Sequence, residues 1–183
     1  PTNKAGFNTQ DFLLHSLTTA SISRLLAEKL GVKSSECSDF FVAGLIHDFG
    51  KIVFAEFDPI NFKLALEKSA TEHISLDTAE IEFMGINHAQ AGRFLAEKWE
   101  LDPQLVDAID HHHNALNKTL LKDCVFTANQ ISKKLQFGFA GNCVIEQSEN
   151  EIIPRFELSL DDLITSLGDL STVRSEALSF INS

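Results

Sequence analysis

Apolar residues recur along this chain at intervals of three and four, the spacing that lines one face of an α-helix, over nearly its whole length. The first stripe, Phe12, Leu14, Leu17, Ile22, Leu25 and Leu26, predicts a helix capped by Asn8, with Asp11 in its first turn and Gly31 at its end. A second stripe through Phe40, Phe41, Ala43, Leu45 and Ile46 predicts one longer helix from Ser35 to Val53. Gly44 and Gly50 lie inside it, where they lower helix propensity and imply close helix packing or close approach to a ligand. Asp58-Pro59 places a cap and a first-turn proline before a third helix ending near Ala70, and a further helix covers Leu76 to Met84. Asn87 and Gln90 have the spacing of a capping box, which sets His88 in the first turn of a helix running to Trp99. Asp102-Pro103 opens a helix that ends near the histidine run at 111–113, and Asn117 opens the next, closed by Gly138.

Residues 139–157 change character. Gly141, Pro154 and a middle rich in Glu, Ser and Asn predict a loop, with a short extended piece at Val144-Ile145. Leu160–Leu167 and Ser171–Ile181 predict two short amphipathic helices, and no internal repeat is visible. The expected architecture is all-α: one helical bundle over residues 7–137, a loop over 138–158, and a C-terminal helical extension over 159–183.

Composition narrows the classes of function. A chain of 183 residues, 44% hydrophobic and 22% charged, suits one soluble globular domain. No apolar run approaches the roughly 20 residues of a membrane span, and no charged-then-apolar leader is present, so a cytoplasmic location is expected. The chain opens on Pro1 rather than Met, and further domains upstream are expected. Cys37, Cys124 and Cys143 are widely spaced and read as reduced, mostly buried thiols. The net charge of −11 repels nucleic-acid backbones and no basic stripe counters it, so neither nucleic acid nor membrane is expected as a partner. The acidic surface and the amphipathic tail leave a protein partner or a homodimer open.

Six of the seven histidines fall in clusters: His15, His47 beside Asp48, His88, and the run His111-His112-His113; His73 stands apart. Most admit an ordinary structural role. A histidine on an apolar face is commonly a satisfied core residue, His88 at a helix start can cap, and histidines at a helix end suit its dipole. Asp48 is harder to explain that way, because a carboxylate flanked by Gly44-Leu45-Ile46 and Phe49 costs free energy unless it is paired or bound to metal. Several imidazoles on separate helices with one aspartate form a donor set for a divalent ion.

The residues also carry a resemblance. His15, then His47-Asp48 within Gly44-Leu45-Ile46-His47-Asp48-Phe49-Gly50-Lys51, resembles the signature of the HD superfamily of metal-dependent phosphohydrolases. The stretch Glu80-Ile81-Glu82-Phe83-Met84-Gly85-Ile86-Asn87-His88-Ala89, with Gly92, Trp99, Ala108-Ile109 and His112-His113, resembles the HDOD branch of bacterial signalling domains, which is related to the HD-GYP cyclic-dinucleotide phosphodiesterases. It covers about residues 7–137. The resemblance implies a helical bundle holding one or two divalent ions of Fe, Mn, Zn, Co or Ni. It assigns His15, His47 and Asp48 to one ion, and Asp48, His88, His112 and His113 to a second, with His111 outside. Lys51 matches a lysine that lies near the substrate phosphate in the phosphodiesterase relatives, so Asp48 and Lys51 are the candidate catalytic pair.

Two departures change what the resemblance implies. Asn129 stands where the family places its last metal aspartate, which removes one anionic ligand and favours a single, weaker site; Asp11, four residues before His15, is a candidate to compensate. After His113 the chain reads Asn114-Ala115-Leu116 instead of Gly-Tyr-Pro, against a conventional cyclic di-GMP phosphodiesterase. The HDOD pattern also includes a helical portion upstream of His15, of which only a short stub is present. The favoured expectation is a regulatory signal-transduction domain with a degenerate metal site at Asn129. The alternative is a metal-dependent phosphohydrolase acting on a nucleotide or cyclic dinucleotide, in which the ion lowers the pKa of water from about 15.7 toward 7 and Lys51 offsets charge on the phosphate. A third reading is a metal-free scaffold whose histidines only pack.

Overall fold

The computed structural model describes residues 4–113, 119–142, 144–147 and 151–183. Ten α-helices run in chain order among the described residues: α1 Thr9–Lys29, α2 Cys37–Ile46, α3 Phe49–Phe57, α4 Pro59–Glu72, α5 Leu76–Met84, α6 His88–Lys98, α7 Pro103–Asp110, α8 Leu120–Lys134, α9 Leu160–Ser166 and α10 Ser171–Ile181. Their starts follow the capping chemistry. Asn8 accepts from the amides of Gln10 and Asp11, Asp58 from Asn61, Asp102 from Gln104, and Asn87 with Gln90 forms the reciprocal capping box. The chain is all-helical, as its periodicity predicts. The extended piece expected at Val144-Ile145 does not form; the described residues contain an isolated bridge between Ile153 and Leu158 and no strand at 144–145. Asn117, expected to open α8, lies outside the described residues; among them the helix is capped by Thr119, whose side chain accepts from the Lys122 amide.

The single helix expected from Ser35 to Val53 is two. It breaks at His47-Asp48, where Asp48 has φ −96° and ψ 8°, and α3 starts at the next residue. Gly50 explains the break. A Cβ on Gly50 would overlap the His88 carbonyl oxygen and stand 2.8 Å from the His88 carbonyl carbon and 2.9 Å from the Gly92 amide nitrogen. The first turn of α3 is therefore pressed against the backbone of α6, a docking that a straight continuation of α2 does not provide. Gly44 does the same for α2 against α1, since a Cβ there would meet the Ala20 Cα at 2.7 Å. Both glycines serve helix–helix contact.

Two apolar clusters hold the bundle. The first joins Ile22 and Leu26 of α1, Phe40 and Ala43 of α2, Ala108 of α7 and Cys124, Val125, Ala128 and Ile131 of α8 with Leu160 and Leu163 of α9, Leu170 at the cap of α10 and Val173 within it. The C-terminal helices are thus packed into this core. The second joins Phe7 and Phe12 with Phe54 of α3, Phe62 and Ala65 of α4, Leu76 and Ala79 of α5 and Ala91 of α6. Fully burying such side chains contributes about 1.5–3 kcal/mol each, which offsets the cost of the polar residues buried beside them. Cys37 and Cys124 are free thiols in the first cluster, and burial pushes Cys124 up to about 12, so it stays an unreactive thiol; Cys143 lies outside the described residues. No helix among the described residues is long and apolar enough to cross a membrane.

Candidate metal centre

The elements of both cores meet at Asp48, whose carboxylate is wholly buried. Its Oδ2 lies 2.6 Å from Lys51 Nζ, 3.4 Å from His47 Nε2 and 3.7 Å from His15 Nε2. Its Oδ1 lies 3.1 Å from His88 Nε2 and 3.3 Å from His112 Nε2. His113 joins the second group through its Nε2, 2.8 Å from that of His88. Two groups able to hold a metal ion therefore share Asp48: His15 with His47, and His88 with His112 and His113, the candidate ligand atoms of each lying within 4.8 Å of one another.

Local structure brings each side chain there. His15 faces inward from the second turn of α1. Neighbouring residues on a helix point about 100° apart, so His47 and Asp48 reach one point because the helix breaks between them and α3. The capping box starts α6 at His88, and α7 ends two residues before His112.

The ring nitrogens are sorted into an outer and an inner set. His47 Nδ1–H donates to the Gly44 carbonyl at 2.7 Å and His112 Nδ1–H to the Ile109 carbonyl at 2.7 Å; a carbonyl only accepts, so both rings present a bare Nε2 inward. His88 Nδ1 donates to Glu80 Oε2 at 2.6 Å and His113 Nδ1 to Glu146 Oε1 at 3.1 Å, with the same result. Lone pairs thus face one another across the centre, with His88 Nε2 also 3.3 Å from His112 Nε2, while His15 Nε2, His47 Nε2 and Asp48 Oδ1 are buried without a hydrogen bond. Converging acceptors around a carboxylate require a positive charge. The imidazole and carboxylate donors fit a borderline divalent cation, and without one the arrangement favours a proton on His88.

For His112 and His113 the electrostatics agree with that sorting, whereas His88 is the ring that takes a second proton when no ion is present. Burial holds His15 and His112 well below the usual imidazole range, and His113 below it, so these rings are neutral donors at neutral pH. Burial opposes charge on His88 too, but the Glu80 carboxylate overrides it and raises its pKa. Burial would also raise Asp48, yet His47 and Lys51 keep its carboxyl well below the usual range, and it is ionised.

Among the other sequence candidates, Lys51 is 2% exposed and engaged by Asp48. Asn129 is buried on α8, and neither atom of its amide has a hydrogen-bond partner. His111 turns to Asp107 Oδ1 at 3.0 Å, away from the centre. Asp11 belongs to neither group. Asn114, Ala115 and Leu116 lie outside the described residues.

Two residues of the site have no assigned role in the sequence reading. Glu80 of α5 is fully buried and accepts from both the amide and the Nδ1 of His88. Glu146 comes from the segment read as a loop. Burial would raise its carboxyl, but His113 and Lys133 hold it well below the usual range.

The helical bundle and its Asp48-centred histidine cluster define an HD-superfamily, phosphohydrolase-like fold. Within that class the chain belongs to the HDOD family, whose domain model matches residues 1–115. An HDOD domain protein of unknown function from Geobacter sulfurreducens has a similar crystal structure, with 24% identity, a TM-score of 0.79, and coverage of 96% of this chain and 64% of that one. A proposed signal transduction protein from Marinobacter aquaeolei matches at 18% identity and TM-score 0.77 over 93% of this chain and 38% of its own. In sequence, the chain is 28% identical to Ribonuclease Y of Mycoplasmoides gallisepticum over 167 residues, 90% of this chain and 24% of that protein. The chain spans less than two thirds of each of these relatives.

Proposed function

We propose that this HDOD domain is a regulatory signal-transduction module whose divalent ion, one of Fe, Mn, Zn, Co or Ni, is held by Asp48, His88, His112 and His113 and ties α6 and the end of α7 to the α2–α3 break. The observation that carries this reading is the closed state of the cluster. The side chains of Asp48, His47, His88 and His112 have no exposure, His15 has 2%, and His113, at 12%, is the most exposed. Catalytic metal sites keep an open position for water or substrate, whereas structural ones are enclosed.

Charge supports one ion rather than two. Asp48, Asp77, Glu80 and Glu146 oppose Lys51 and Lys133, so with neutral rings the region carries two net negative charges before any ion enters. A single divalent ion neutralises it, and a second would leave two positive units. The Lys51 ammonium already sits on Asp48 Oδ2, the face that His15 and His47 share, so the Oδ1 face is the better cation site. When bound, the ion supplies the positive charge that the inward lone pairs need and Lewis acidity toward a phosphoryl oxygen. Glu80 and the Gly44 and Ile109 carbonyls hold the rings in the ligating tautomer. The proposed output is a protein partner or a homodimer, with a nucleotide as a possible ligand.

The test is elemental analysis and calorimetry on the purified protein, with phosphate release measured on a nucleotide and cyclic-dinucleotide panel in Mn²⁺ or Fe²⁺. One bound ion, held weakly for want of a second carboxylate ligand, and no phosphate release is the expected result; metal-dependent release would replace the regulatory reading with the phosphohydrolase one, and no uptake of any ion would leave a scaffold. Asn129→Asp is expected to bind metal more tightly, because a buried amide without partners becomes an anionic donor. Equal metal content in the two proteins would remove Asn129 from the site.

A further inference from the structure

Each ring that faces Asp48 through the second group is oriented by an acceptor on its outer nitrogen, and the sources differ. His112 uses a carbonyl three residues before it, and His88 uses Glu80 of the preceding helix. His113 lies past the end of α7, where no helical backbone fixes its ring, and its outer nitrogen meets Glu146, 33 residues later in the chain. Glu146 is itself held firmly. Lys133 Nζ donates to its Oε1 at 3.1 Å and its Oε2 at 3.3 Å, and the Gln130 amide donates to Oε2 while its oxygen accepts from the Glu146 backbone N–H at 2.8 Å. Farther along the chain, Arg155 Nε donates to Asp123 Oδ2 of α8 at 2.7 Å. Loop segments without such ties do not hold a side chain in one geometry.

We propose that Glu146 is a positioning residue of the metal centre, so that the segment around it, beyond the matched residues 1–115 and clamped by Gln130 and Lys133 of α8, completes the site by fixing His113 as its Nδ1–H tautomer with Nε2 directed at His88. A carboxylate behind an imidazole selects the tautomer, fixes the ring angle and raises the basicity of the far nitrogen, and loss of such a partner costs about 10- to 100-fold in metal affinity. The consequence is that the ion reports on the placement of Glu146: displacing residues 144–147, by a partner or by an adjoining domain, loosens the ion without touching a ligand.

The experiment compares the whole chain with Glu146→Ala, Glu146→Gln and Gln130→Ala, by two readouts. In metal-free protein at alkaline pH, where His88 carries no second proton to donate to His113, ring ¹⁵N–¹H correlation spectra are expected to show His113 as the Nδ1–H tautomer in the wild type and in Glu146→Gln, whose amide oxygen still accepts, and as a tautomer mixture in Glu146→Ala. In Co²⁺ titrations followed by visible absorption and calorimetry, Glu146→Ala is expected to bind about 10- to 100-fold more weakly, with Gln130→Ala shifted in the same direction and Glu146→Gln retaining most of the affinity. An unchanged His113 tautomer in Glu146→Ala, or Co²⁺ affinity equal to wild type in a folded Glu146→Ala, overturns the proposal. The Co²⁺ readout rests on the metal reading above and the tautomer readout does not. A wild type that takes up no Co²⁺ therefore sinks that reading, while the spectra still decide the role of Glu146.

Discussion

Asp48→Asn is expected to lower the stability of the metal-free protein by about 3–5 kcal/mol and to abolish metal uptake. The stability loss comes from Lys51. Its ammonium is buried and sits 2.6 Å from the Asp48 carboxylate, so removing the negative charge strands a positive one where water cannot reach it. The loss of uptake has a different origin, since Asp48 is the one carboxylate common to both histidine groups. Denaturant unfolding in the presence of chelator isolates the first effect, and calorimetric metal titration reads the second. The double variant Asp48→Asn/Lys51→Met separates them: most of the stability returns, because neither charge remains, while metal uptake stays lost. A single variant as stable as the wild type would show that the Asp48–Lys51 pair does not hold the helix break together.

Gly50→Ala is the second large effect, expected at about 3 kcal/mol, the upper end of the overpacking range. The new Cβ is opposed by main-chain atoms of His88 and Gly92 and not by a flexible side chain, so no rotamer change relieves it. The first turn of α3 must lift off α6, and His88 moves with it. Thermal unfolding is expected to show the loss directly, and metal affinity is expected to fall in the same variant because Asp48 and His88 lie on the two sides of that contact. An unchanged melting temperature would mean that the α3–α6 crossing is looser than the structure has it.

These two residues also mark where local reasoning stops. The helices that begin with a cap, α1, α4, α6 and α7, are readable within a residue or two, because Asn8, Asp58-Pro59, Asn87/Gln90 and Asp102-Pro103 satisfy amides only a few positions away. The break at His47-Asp48 has no such signal. Residues 40–53 keep a helical apolar pattern throughout, and what divides them is Gly50 pressed on the backbone of His88, a contact between residues 38 positions apart. Glu80 and Glu146 were hidden for a related reason. An acid on an amphipathic helix, or in a Glu/Ser/Asn-rich stretch, is indistinguishable in sequence from a solvated one until its neighbours are known.

By itself, then, the chain determined its class. The helical period, the caps and the unusual placement of histidines with one aspartate in apolar surroundings are properties of short windows, and they specified an all-α bundle with its candidate donors; the HD type followed from the resemblance those motifs carry. Only the tertiary structure decided how those donors are used: that Lys51 neutralises one face of Asp48, that His88, His112 and His113 share the other, that Asp11 stays apart, and that the segment after α8 returns to orient His113. The physical reason is that a side chain's charge and tautomer depend on what lies within a few ångströms of it. In a bundle most of those neighbours arrive from other helices.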